Sequence, residues 1–335
     1  MNKKLLAVAV AAFVAAPAVA TADTTLFGQF KYEVGFVENV AGDRGAVHSS
    51  AGTRLGIRGA EDLGGGMQAI YRFQTGFAQA NGGLTSTSFN LDEEAWVGLQ
   101  GGFGRVLLGR SDTAMKLAHI PFRNFADTLA DLNNRPASWG RAEGVHYTTP
   151  SFGGLTISAT VEPNGHKTDS YWALAAIYRQ GPLFVSAAVE GAPDTSDTYP
   201  LDGLNTTLYQ GGGKQVVADS TNWQVGVSYN FDPLTVGVLY QDIDDVAKWV
   251  TVPVSFKVTP NVTLRAAAQY RDRDYADSMT NVALGVGYHF SSRTELYANV
   301  WNDDEIDIVN RTPNGGIGGG ADAKTHFAVG LRHSF

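Results

Sequence analysis

Residues 26–37 read Leu26-Phe27-Gly28-Gln29-Phe30-Lys31-Tyr32-Glu33-Val34-Gly35-Phe36-Val37. Apolar side chains fall on Leu26, Phe30, Tyr32, Val34 and Phe36, while Gln29, Lys31 and Glu33 occupy the positions between. A period of two sends the two sets to opposite faces of an extended chain, so this is a two-faced strand and not a helix. The alternation recurs along the sequence. Leu55 and Ile57 oppose Arg54 and Arg58, and Tyr71 and Phe73 oppose Gln68, Arg72 and Gln74. Val262, Leu264, Ala266, Ala268 and Tyr270 oppose Thr263, Arg265, Gln269 and Arg271, and the chain closes on Phe327, Val329, Leu331, His333 and Phe335. With further alternating segments at 155–162, 223–230, 250–258 and 282–290, and weaker ones near 95–100, 105–110, 145–149, 171–179, 183–190, 234–241 and 294–301, the pattern predicts sixteen strands.

Two kinds of connection join them. Short turns fall at 61–66, 100–104, 150–154, 180–182, 232–233, 260–261 and 291–293. Generally longer loops alternate with them at 39–49, 78–92, 111–143, 163–169, 191–220, 242–247, 272–278 and 302–323. That alternation predicts an all-β, up-and-down antiparallel barrel over residues 23–335, with both termini at the short-turn end.

The polar faces carry Lys31, Glu33, Arg54, Arg58, Arg72, Glu162, Lys257, Arg265, Arg271 and Arg332. Each such charge left unpaired in a dry core costs several kcal/mol. The expectation is therefore a transmembrane barrel whose apolar face meets lipid and whose charged face lines a watered lumen. Mean hydropathy of −0.12 is then the average of two stripes rather than the mark of a soluble chain. Aromatic residues toward strand ends, Phe27, Phe77, Phe152, Tyr229, Phe231, Tyr270, Tyr288 and Phe290, are expected to form the interfacial girdles. Closing the last strand on the first leaves no unpaired edge.

Met1 to Ala22 has the form of a secretory signal: Lys3 and Lys4, an apolar run, then Ala20-Thr21-Ala22, with cleavage after Ala22 or Ala20. Of 335 residues, 17% are charged, 39 are glycine and none is cysteine, and the formal charge is −8. This composition excludes a disulfide scaffold, a cysteine-ligated metal and a polybasic nucleic-acid binder. No cofactor is expected, and no apolar run after the leader is long enough for a membrane helix.

The leader, Thr25-Leu26-Phe27-Gly28, the segment Arg54 to Gly64 (RLGIRGAEDLG), Phe103 to Arg110 (FGRVLLGR), Tyr147 to Gly154 and the terminal Phe335 together resemble a Gram-negative general porin, closest to those of beta- and gamma-proteobacteria. The resemblance spans the mature chain. It implies a homotrimer in the outer membrane with periplasmic termini, each barrel narrowed by its third outer loop. It also implies that the terminal strand, ending on Phe335, is read by the barrel-assembly machinery, and that the outer surface meets lipopolysaccharide.

The third loop, 111–143, far exceeds the ~12–15 residues at which an unstructured connection becomes unusual. Folded inward, it would pack Ile120, Phe122, Phe125, Leu129 and Leu132 on itself and the wall, leaving Asp127 and Asp131 to project into water. Facing them would stand a basic wall of Lys31, Arg54, Arg58 and Arg72. Arg110 joins it only if a bulge reverses its face, because it shares parity with Val106 and Leu108. Acids and bases across a narrow gap set up a transverse field that favours ions and small hydrophilic solutes. The function this predicts is passive diffusion of such solutes, without catalysis.

Two alternatives follow from other residues. A channel selective for phosphate or another anion would use the Arg54, Arg58 and Arg72 set. An outer-membrane hydrolase would need a histidine beside a serine, for which His289 near Ser291 and Ser292 is the nearest candidate. Acidic clusters at Asp242, Asp244 and Asp245, and at Asp303, Asp304, Glu305 and Asp307, lack the spacing of a calcium loop.

Overall fold

The computed structural model describes residues 23–38, 44–76, 93–132, 140–163, 170–192, 200–201, 204–211, 214–217, 220–244, 247–274, 277–303 and 324–335. The leader and its cleavage site, Phe77, the second outer loop, the acids of 304–307 and the glycine-rich 315–320 lie outside the described residues.

Seventeen strand segments form one antiparallel sheet that closes on itself. Strand β1 is Asp23–Glu38, and β2 comprises two pieces, Arg44–Ser49 and Arg54–Gly64, both paired to β1. Then follow β3 Met67–Gly76, β4 Glu94–Gly101, β5 Gly104–Asp112, β6 Arg141–Thr148, β7 Leu155–Glu162, β8 Tyr171–Gln180 and β9 Leu183–Gly191. The circuit continues with β10 Thr221–Asn230, β11 Leu234–Ile243, β12 Ala247–Thr259, β13 Val262–Arg273, β14 Met279–His289, β15 Thr294–Asp303 and β16 Lys324–Ser334. Counting β2 once gives sixteen strands, each beside its sequence neighbours. Pairing of Gln29 with Ser334 through Phe36 with Phe327 closes the ring. Beyond the last strand, Phe335 N–H donates to Gly28 O at 3.0 Å and Gly28 N–H returns the bond to Phe335 O at 3.1 Å.

The alternation holds. On β1, Leu26 and Phe30 are each 60% exposed, whereas Lys31 and Glu33 are fully buried. A water-soluble protein shows the reverse; here the exposed apolar face meets lipid. Tight turns are made possible by glycine where the backbone is left-handed, as at Gly64, Gly65 and Gly66, with φ of +79°, +62° and +77°.

Three expectations need correction. The first outer loop was expected over 39–49, but Arg44–Ser49 is strand, because its backbone groups pair with Glu33 to Glu38. The loop 191–220 contains a small three-stranded sheet, Pro200–Leu201, Leu204–Gly211 and Lys214–Val217. Phe27 belongs to no girdle: it has the parity of Gln29 and Lys31 and faces the lumen beside Arg58 and Arg72.

Candidate functional site: the pore constriction

The third loop enters the barrel from β5. Thr113 caps a short helix α1, Ala114–His119, its hydroxyl accepting from Lys116 N–H at 3.1 Å. The small face of α1, Ala114 and Ala118 with Met115, rests on Tyr171, Ala173 and Ala175 of β8 and Ala188 of β9. A 3₁₀ turn, Ile120–Phe122, then drives Phe122 against Phe184 and Leu239.

From there the chain crosses the far wall. Asn124 Nδ2 donates to Val254 O at 2.9 Å and Ala266 O at 2.8 Å. Phe125, Leu129 and Leu132 join a buried cluster with Val37, Ala267, Ala283, Trp301 and Ala328. The wall carries notches for these anchors. A Cβ on Gly285 would lie 2.7 Å from the Phe125 ring, and one on Gly35 2.9 Å from Leu129 Cδ1. The loop is thus sewn to β8 through β16 and on to β1, which leaves the wall of β2 to β5 open to the lumen.

The loop tip lands on the break in β2. Asp127, at φ +65°, seats its carboxylate over Gly52, at φ +84°, where any Cβ would come within 2.7 Å of Asp127 Cβ. Arg54 Nη2 donates to Asp127 Oδ2 at 3.0 Å. Burial pushes the Asp127 carboxyl up, but Arg54, Arg123, Arg332 and Lys31 together outweigh it and hold the group below its ordinary 3.8.

The predicted site residues separate into three groups. Arg54, Arg58 and Arg72 line the open wall. Phe27 supports two of them, with the Arg58 and Arg72 guanidinium carbons 5.2 and 4.6 Å from its ring centre. Arg72 is paired with Glu94 at 2.5 Å and donates to Gln74 at 2.6 Å.

Lys31 and Asp131 are the second group, and both need correction. Lys31 is buried beneath the loop, bonded to Glu33 at 2.7 Å and to Asp127 O, so it anchors the tip instead of facing solutes. Asp131 is 1% exposed; its Oδ2 accepts from Arg123 and, at 3.1 Å, from Asp127 N–H. It shapes the tip from within. Four-residue spacing does not send both acids the same way, because the intervening chain is a series of turns and not a helix.

Arg110 is the third case. The β4–β5 and β5–β6 registers run without a shift, pairing Arg110 with Ala95 and Glu143 on the outward face of Val97, Leu108 and Val145. No bulge reverses it, so it leaves the constriction. Phe335 sits at the barrel seam, away from the pore.

Sequence reasoning missed a second charged cluster above the open wall. Asp112 binds Lys116 Nζ at 2.6 Å and Arg141 Nε at 3.1 Å, and Arg141 also meets Glu93 at 2.5 Å. The four-residue step from Asp112 to Lys116, flanking the capping Thr113, was the available signal. Burial lowers the Lys116 ammonium below its usual value despite Asp112, whereas Arg123, though buried, is raised by Asp131 and Asp127. Below lies a lumen recess of about 170 Å³, whose lining includes Arg72, Glu94, Trp96, Arg105, Asp112 and His146.

His289 has no serine partner among the described residues. Its Nε2 meets Thr263 Oγ1 at 3.4 Å and Glu295 at 3.9 Å, while Ser291 Oγ donates to Thr294 Oγ1 at 3.3 Å. Nothing there forms a nucleophile and base.

The family described as Gram-negative porin matches residues 7–305 of this chain. Outer membrane porin protein 32 of Delftia acidovorans is 28% identical over 375 residues, with all of both chains covered. Among solved structures, an anion-selective porin from Comamonas acidovorans aligns with a TM-score of 0.72 at 25% identity, covering 94% of this chain and 100% of that one. In-vitro folded OmpT of Vibrio cholerae, in a trimer form, aligns with a TM-score of 0.66 at 17% identity, covering 94% of this chain and 100% of that one.

Proposed function

This chain belongs to the Gram-negative porin family, and from that premise we propose how its lumen sorts what passes through it. The protein is a non-enzymatic general porin, a water-filled β-barrel channel of the outer membrane. The finer reading is passive diffusion of ions and small hydrophilic solutes with a bias toward anions. One observation carries it: Asp127 is held by Arg54, while Arg58 and Arg105 on the same open wall pair with no carboxylate among the described residues. An anion crossing the gap meets net positive charge; a cation meets a neutralised acid. The Comamonas relative, described as anion-selective, is consistent with this sign.

Residues 1–22 serve as the cleaved leader in this reading, and 23–335 as the barrel. The termini are periplasmic, and Phe335 forms part of the signal for barrel assembly. Three barrels associate, as in the trimer form of the Vibrio protein, and the outer loops contact lipopolysaccharide. Proteoliposomes loaded with an impermeant sugar test the sorting. Swelling should be faster with small anionic solutes than with cationic solutes of the same size, without saturation. Equal rates would remove the bias, and saturable block by phosphate would replace general diffusion with the selective alternative.

A further inference from the structure

Beneath the loop, on its short-turn side, a recess of about 80 Å³ lies between residues 123–128 and the wall of β13, β15 and β16. Three guanidinium groups line it, those of Arg123, Arg265 and Arg332, together with Asn299 and Tyr297. The carboxylates nearby are engaged. Asp131 holds Arg123, Glu295 holds Arg265 at 2.5 Å, and Glu33 accepts from the Tyr297 hydroxyl at 3.2 Å. Arg332 donates to Ala126 O at 3.1 Å and lies 5.9 Å over the Tyr297 ring, but pairs with no carboxylate among the described residues.

Asn299 gives the second, independent observation. It is 2% exposed, and neither its amide nitrogen nor its oxygen has a hydrogen-bond partner among the described residues. A buried amide left so costs on the order of 1–3 kcal/mol unless a guest supplies the bond. The site therefore holds one guanidinium in no direct carboxylate pair among the described residues, a spare amide donor and room for one small guest.

We propose that this cavity is a binding subsite for a small inorganic anion, held by Arg332 and the Asn299 amide and flanked by Arg123 and Arg265. The ion occupies it under the rim of the constriction, one step from the basic wall. An anion there shares the Arg332 guanidinium with the Ala126 carbonyl. The effect on permeation rests on the channel reading; the binding itself does not.

Bromide is the probe. Crystals of the full-length mature protein soaked in sodium bromide should show anomalous density within contact distance of Arg332 and Asn299. Asn299→Asp leaves Arg332 in place and sets a negative charge where the anion would sit, and Arg332→Gln removes the cation; either should abolish the density. In bilayers each variant should lower the chloride-to-potassium permeability ratio by about twofold. Absence of bromide in the wild-type cavity, or density unchanged in both variants, overturns the subsite while leaving a conducting channel intact. A protein that binds bromide but passes no current contradicts the channel reading and not this one.

Discussion

Arg54 Nη2 donates to Asp127 Oδ2 at 3.0 Å, so the loop tip and the barrel wall meet as an ion pair instead of facing each other across open water. The constriction is consequently asymmetric. In the reading proposed above, the Asp127 carboxylate is spoken for, and the bases beyond it determine the field.

Asp127→Asn should release Arg54 into the pore. A unit charge about 7 Å from a passing ion in water-like surroundings is worth ~0.6 kcal/mol, or about threefold in partition. The chloride-to-potassium permeability ratio should rise by that order. Asp131→Asn, altering a buried clamp on Arg123, should leave the ratio nearly unchanged and lower the temperature at which the loop loosens. Equal effects of the two substitutions in zero-current potentials would contradict their separation.

Gly52→Ala should partly mimic Asp127→Asn. The added Cβ collides with Asp127, and φ of +84° costs a non-glycine residue on the order of 1–2 kcal/mol. Reduced thermal stability together with increased anion preference is the expected pair. A stable variant with wild-type selectivity would show that the loop tip does not rest here.

The share of the selectivity that depends on Asp127 should hold from neutral pH down to its ordinary 3.8 and shift toward anions only below that. The Asp127 carboxyl is held under its ordinary 3.8, so it stays ionised until that range. A depressed folded value also means that its ion pairing contributes stability above the unfolded value, and that this contribution is lost as pH falls through the folded one. Titrating the reversal potential checks this; a midpoint at pH 5 or above in the wild type, absent from Asp127→Asn, would contradict it.

Phe122→Ala should unfasten the loop while the barrel persists. Burying Phe122 against Phe184 and Leu239 is worth about 3–5 kcal/mol by analogy with other large-to-small core changes. Single channels should show larger mean conductance and more open-state noise. Unchanged current would mean that the polar ties, Asn124 to Val254 and Ala266 among them, suffice alone.

The barrel was readable in the sequence because strand periodicity, turn length and loop length are local properties. Lys31 and Glu33 on one face of β1, and Leu26 and Phe30 on the other, already fix what meets lipid. The constriction was only half readable. Parity placed Arg54, Arg58 and Arg72 on the lumen, yet it could not say that the loop would cover Lys31, because that depends on contacts some 96 residues apart. Parity also places Phe27 on the lumen face, where it lies; aromatic character near a strand end is the weaker signal, and it pointed wrongly to a girdle. Asp131 was misread because spacing has no directional meaning in a chain of turns. The glycines and alanines of the far wall, Gly35, Gly285, Ala173 and Ala175, were the overlooked imprint of the loop. Small residues on a lumen face are evidence that something packs there.

The most direct test is the zero-current potential of the purified wild-type protein in a planar bilayer across a tenfold potassium chloride gradient at neutral pH. The potential should take the sign of chloride preference and move toward zero when Arg58 and Arg105 are both replaced by glutamine. A potential of the cation-selective sign in the wild type, or one that those substitutions leave unmoved, would contradict an open wall whose uncompensated bases set the field.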